Sequence, residues 1–407
     1  MKYLKKIFLL LFCFAVSQSF AQGFYKDLFW DAGVGLDTTR IPVFQSLGLS
    51  MEYNKCETEP IQRKLIVGNE FDANGVLLYP DNSPRFKMIY TPGGDSRLHG
   101  SSLGENGRKR IRTFFENGSS FAGVCGGAAI ISLSREKGKI WDDYYNIWPG
   151  FVNQLREGPL YPDLAVQKNC DLLLFRSFGE DNRIDDVMFT FGSYPVEEDK
   201  NWPEGTKILL RFESPDLPLH EKGACWSYKK NERSGTIVVI NCHPEISNSG
   251  EHLALIESIF LHALQGVGPP RIKGTLKKGQ VRFMNKETGD NEPAFTKIGD
   301  KQYHYFRVEI PPMAKNFSVT LNAEKGYDFN IYLKRGDFAA SGDAIHEDTS
   351  PGSFKKVNIR NPEQGEWFIG VECASTVRSV AGKYFYEYID DLKVLNGVKY
   401  SISATWE

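Results

Sequence analysis

Cysteine is scarce in this chain, with seven in 407 residues. So few exclude a disulfide scaffold. An excess of charge of one sign is also missing, since 49 Lys and Arg against 51 Asp and Glu leave a net charge of −2. The basic clusters, Arg108-Lys109-Arg110 and Lys229-Lys230, are short and read as wet surface. Nothing here supports nucleic-acid binding. No apolar run reaches the ~20 residues that a spanning helix needs. Asp328, Asp337 and Asp343 match no calcium-loop spacing and read as solvated turn acids. What remains is a length and composition that fit two globular domains.

The first residues read as an export signal. Lys2, Lys5 and Lys6 form a charged region, Ile7 to Val16 an apolar one, and Ser19-Phe20-Ala21 a small-residue cleavage site. A signal peptide over 1–21 is expected, and with it a periplasmic or extracellular protein with no membrane attachment once the signal is removed. Cys13 follows Phe12 where a lipoprotein site has a small residue, which argues against a lipid anchor. Six cysteines then remain: Cys56, Cys125, Cys170, Cys225, Cys242 and Cys373. A Cys170–Cys225 bridge stays open.

Gly123-Val124-Cys125-Gly126-Gly127 is the most informative segment present. It lies between a short apolar stretch and the helix-like run Ala128–Leu133. Glycines on both sides permit a turn tight enough to thrust the central side chain out of a sheet edge. The next helix would aim its N–H groups at the sulfur, which suits a thiolate. A Gly-rich turn carrying a buried cysteine is the plainer alternative.

Thr236–Ile240, rich in β-branched residues, reads as a buried strand running into Asn241-Cys242-His243-Pro244-Glu245. Pro244 restricts His243 toward extended backbone. Residues two apart then share a face, so Glu245 would hold one ring nitrogen of His243 and leave the other as a base. Cys242 would point the other way, into the core. A surface histidine beside a solvated acid is the competing reading.

These segments resemble the class I glutamine amidotransferase-like superfamily. The nearest group is the one named after the N-terminal domain of biotin-protein ligase. The resemblance covers about 25–266 and rests on three ordered landmarks: Phe86–Gly94 ending in Pro92-Gly93-Gly94, the elbow at Cys125, and His243-Pro244-Glu245. It implies Cys125 as nucleophile, His243 as base and Glu245 as its orienting acid. It further implies Gly94 and Gly126 as oxyanion donors, Gly93 and Asp95 at the substrate, and no metal or organic cofactor. Gly93-Gly94 also fits a plain turn. Glutamine-using relatives carry a glutamine four positions after the nucleophile, where this chain has Ala129. The position after the nucleophile is Gly126 in place of a large aliphatic. An amide or γ-glutamyl-type hydrolase therefore fits better than an amidotransferase.

Strands alternating with helices predict an α/β domain over 22–266, with a flavodoxin-like, mostly parallel sheet and helices on both faces. Strands are expected at 27–30, 64–67, 86–90, 187–191 and 207–212, and helices over 41–53 and 251–264. Ile140 to Pro162, rich in Trp and Tyr, is either a lid or a packed surface excursion. Residues 267–270 form a linker, and the alternating runs of 271–407 predict a small all-β sandwich. That part resembles the bacterial pre-peptidase C-terminal domain, through Asp328–Leu333 and Gly365–Val371. Two further functions stay open: a binding scaffold without catalysis, and a secreted peptidase. The expected partner is a small-molecule or peptide amide.

Overall fold

Ile237–Ile240 is an unbroken apolar run buried on both faces, the signature of a central strand. In the computed structural model, which describes residues 23–36, 41–55, 64–68, 73–133 and 140–407, this run sits mid-sheet. The segment expected to be a signal peptide and Cys56 lie outside the described residues. The strands up to this point are β1 (Lys26–Asp31), β2 (Met51–Asn54), β3 (Phe86–Thr91), β4 (Ser120–Val124), β5 (Val152–Gln154), β6 (Leu164–Val166), β7 (Arg183–Ile184), β8 (Ser193–Pro195), β9 (Thr206–Phe212), β10 (Gly223–Tyr228) and β11 (Ile237–Ile240). The helices are α1 (Val43–Ser46), α2 (Lys64–Val67), α3 (Ser96–Glu116), α4 (Gly126–Ile130) and α5 (Gly250–Gln265).

Nine strands form one sheet in the order β2-β1-β3-β4-β11-β10-β9-β6-β7. Neighbours from β2 to β11 run parallel. The remaining pairs are antiparallel. The sheet is mixed, which corrects the expectation of a mostly parallel one. Short turns at 213–222 and 229–236 join β9, β10 and β11, and a strand returning through a short turn pairs antiparallel.

Alternate strand residues feed two apolar layers. Leu28, Met88, Tyr90, Val238 and Ile240 cluster with Leu255, Ile256, Ile259 and Phe260 of α5. Phe29, Phe86, Ile89, Phe121 and Val239 cluster with Leu103, Ile111, Phe114 and Phe115 of α3. Three local expectations fail. The helix over 41–53 shrinks to α1, because Gly48 takes a φ of +60° and the chain re-enters the sheet as β2. Residues 64–67 are helical instead of extended. Residues 187–191 make only an isolated bridge between Phe189 and Leu160.

Beyond residue 271 the chain builds a five-stranded and a four-stranded sheet. Phe306, Ile331 and Ile369 of one share a cluster with Val319, Val357 and Ile402 of the other. Asp337 and Asp343 both bind Lys334, at 3.4 and 2.8 Å. Asp328 accepts the Gly352 N–H at 2.7 Å.

The seam between the two units is polar and buried. Arg85 meets Asp300, and Asp81 meets Lys273 and Gln302. A two-stranded hairpin, Arg378–Ala381 with Tyr386–Asp390, reaches back to β2. There the Tyr53 hydroxyl donates to the Gly382 carbonyl at 2.6 Å, and the Tyr388 hydroxyl meets the Glu52 carboxylate. No helix among the described residues is long and apolar enough to cross a membrane.

Candidate active site

β4 ends at Val124, and Cys125 follows with φ 49° and ψ −107°, a conformation that L-residues rarely adopt. Two sets of hydrogen bonds hold it there. The Cys125 N–H donates to the Ile240 carbonyl of β11 at 2.9 Å, and the Cys125 carbonyl accepts from Ala128 and Ala129 at 3.0 and 3.2 Å. Such a strained turn between strand and helix is the geometry of a nucleophile elbow.

β11 lies beside β4, so its C-terminal end delivers His243 to the same rim. The His243 N–H donates to the Met188 carbonyl at 2.8 Å. Pro244–Ile246 is a tight 3-10 turn, so His243 and Glu245 do not meet by strand alternation. The turn folds the carboxylate back onto the ring instead, with Nδ1 and Oε1 2.9 Å apart. Both side chains are nearly buried.

Ring and thiol both lie against Gly93, with no hydrogen bond joining them, and His243 Nε2 has no partner among the described residues. A Cβ added at Gly93 would lie 2.8 Å from His243 Cε1 and 3.6 Å from Cys125 Sγ. Burial works against the charged ring, but the Cys125 thiol and the Glu245 carboxylate outweigh it and raise the His243 pKa from 6.5 to about 10. The sulfur itself donates to the Thr190 carbonyl at 3.6 Å.

Gly94, with φ +135°, abuts Gly126 so closely that a Cβ on Gly126 would sit 2.2 Å from the Gly94 carbonyl oxygen. Only glycine fits, and both residues line a pocket with Cys125. Asp95 is occupied otherwise. Its Oδ1 accepts the Arg97 and Leu98 N–H groups at 3.0 and 2.9 Å and caps α3.

The structure also brings residues to this pocket that the motifs did not indicate. Gln154 and Ser193 are cross-strand partners of the β5–β8 pair, and both line it with Phe191 and Ala129. Ile140 to Pro162 mostly packs inward: Tyr144, Tyr145 and Trp148 are wholly buried. Cys242 is buried as expected. Cys170 and Cys225 are both free thiols, so no bridge joins them.

No family model and no curated protein matches the chain. Among solved structures it is similar to a protein assigned as a GMP synthase subunit from Thermoplasma acidophilum, at 13% identity and a TM-score of 0.37, over 58% of this chain and 94% of that one. A glutamine amidotransferase matches at 19% identity and a TM-score of 0.35, over 58% of this chain and 98% of that one. The pre-peptidase C-terminal domain of a Bacillus anthracis collagenase matches at 14% identity and a TM-score of 0.22, over 34% of this chain and all of that one.

Proposed function

We propose that this chain is an exported, cysteine-dependent hydrolase of amide-type C–N bonds, γ-glutamyl amides among the class. Its α/β unit is read as flavodoxin-like and class I glutamine amidotransferase-like, in the biotin-protein ligase N-terminal domain group. The two-sheet unit is read as an accessory sandwich of the pre-peptidase type. Export rests on the charged and apolar N-terminal pattern.

The observation carrying the catalytic reading is the line Glu245–His243–Cys125, with a 2.9 Å bond at one end and ring and thiol both against Gly93 at the other. In the proposed reaction the Cys125 thiol gives its proton to His243 and its sulfur attacks the amide carbon, and the oxygen gathers charge against the Gly94 and Gly126 N–H groups. The C–N bond breaks as His243 passes its proton to the departing nitrogen. Water then attacks the thioester, giving up a proton to His243, and the C–S bond breaks to release the acid. Glu245 keeps the ring oriented and supports its charge.

One observation favours a second reading, a binding scaffold without turnover: the thiol rests on a carbonyl inside a narrow pocket. Site-resolved alkylation separates the two. A hydrolase gives rapid labelling of Cys125 that collapses in His243→Ala, whereas a scaffold gives slow labelling indifferent to that change.

A further inference from the structure

The cavity at Cys125 is small and uncharged, and one of its walls carries a buried hydroxyl with no hydrogen-bond partner among the described residues. That hydroxyl is Ser193 Oγ, on a residue only 3% exposed. A buried polar group of this kind is costly unless something completes it. Ser193 lines the cavity together with Cys125, so a bound molecule can supply the missing partner.

Its cross-strand neighbour Gln154 is the second polar group of the wall. The Gln154 Oε1 already accepts the Arg156 Nε–H at 3.1 Å, which leaves the amide NH₂ as the end able to donate. No Asp, Glu, Lys or Arg lines the cavity. Where a relative would carry a glutamine side chain stands Ala129, and Phe191, at φ +47°, lines the cavity beside it. The cavity is partly open to solvent and its volume is about 20 Å³, room for roughly one water-sized group.

We infer that Ser193 and Gln154 select a short, hydroxyl-bearing acyl group, of the glycolyl type, on the carbonyl that Cys125 attacks. This rests on the thiol-hydrolase reading and narrows it. Succinyl and γ-glutamyl groups exceed a cavity of this volume, and the γ-glutamyl ammonium would meet the Arg156 guanidinium that sits on Gln154 with no carboxylate in the lining to pair it. An acetyl group fits by size but leaves Ser193 unsatisfied. A glycolyl hydroxyl completes it.

The test is a panel of aminocoumarin amides on the full chain, differing only in the acyl group: glycolyl, acetyl, succinyl and γ-glutamyl. Alkylation of Cys125 by iodoacetamide runs beside it, with and without His243→Ala. The expected result is glycolyl over acetyl by about tenfold in kcat/KM, with the longer succinyl and γ-glutamyl groups below acetyl. Ser193→Ala should erase the preference for glycolyl over acetyl. Gln154→Leu should lower the glycolyl-to-acetyl ratio and serves if Ser193→Ala fails to fold. His243-dependent labelling of Cys125 combined with equal or better γ-glutamyl turnover, or with no turnover in the panel, overturns the selectivity and spares the thiol site. Labelling indifferent to His243, with no amide cleaved, overturns the hydrolase reading and the selectivity together.

Discussion

The Arg85 guanidinium donates to Asp300 Oδ2 at 3.0 Å across the seam between the α/β unit and the two-sheet unit, and each side chain is 2% exposed or less. Removing either one takes the nearest opposite charge of this pair away from a buried group. Asp300→Ala or Arg85→Ala should each lower stability by about 3–5 kcal/mol. Replacing both by apolar residues of similar volume should recover most of that loss. Urea unfolding of the two singles and the double checks it; additive losses would contradict the pairing.

Acid should loosen the same seam. For Asp81, burial pushes the carboxyl pKa up, but Lys273 and the Ser83 hydroxyl beside it outweigh that and hold it well below the usual range. Its contribution is therefore present above the unfolded value near 4 and lost as pH falls toward the folded one. Burial and Lys273 hold His304 well below 6.5, so it stays neutral in the fold while the unfolded chain takes up a proton. Both terms act in one direction but in different windows. Melting temperature should fall from pH 7 toward pH 4 through His304 and further below pH 4 through Asp81, and His304→Gln should flatten the upper part of that slope.

The site has its own pH signature. With its pKa raised to about 10, His243 is charged at neutral pH, and its stabilising pairing is full below 6.5 and lost as pH rises through about 10. Turnover should fall on the alkaline side near that value. Glu245→Gln removes part of what raises the pKa, so the falling limb should move to lower pH. His243→Ala should reduce kcat by about 10²–10⁴-fold. A pH–rate series on the three proteins decides it; an unmoved limb in Glu245→Gln would remove the acid from its assigned role.

Gly126→Ala drives a methyl group into the Gly94 carbonyl. The two must part, which separates the proposed oxyanion donors. A loss of roughly 10²–10³-fold in kcat is expected, measured beside a melting curve showing that the protein still folds.

The thiols should sort themselves by burial. Burial pushes Cys170 up to about 11 and holds Cys225 and Cys242 well above their usual range. Of the five described cysteines, all free, only Cys125 should alkylate in the native protein at pH 8. The others should react after denaturation, as peptide mapping before and after urea would reveal.

Local chemistry was the legible part of this chain. The elbow at Cys125 and the His243–Glu245 pair announce themselves because glycine permits the tight turn at residue 125 and Pro244 restricts the backbone between the histidine and the acid. Ser193 and Gln154 stayed hidden, since they become neighbours only through a two-stranded pairing that apolar periodicity does not encode. Apolar spacing misjudged 41–53 and 64–67 for a related reason: short segments carry both periods, and packing against β1 and α3 decides between them. The parallel half of the sheet was foreseeable from alternating strands and helices. The antiparallel half was not, because turn length, not strand composition, sets its direction.

β2 is the outermost strand at one end of the nine-stranded sheet, and the hairpin carrying Tyr388 lies along it. Bare outer strands invite copies of a protein to join through their backbones, ending in insoluble polymer. The distal hairpin thus acts as a built-in guard against self-polymerisation. Replacing residues 378–390 alone by a short loop, so that Ile402 keeps its place in the four-stranded sheet, should leave the rim at Cys125 intact yet make the protein precipitate, which ties solubility to residues far from that rim.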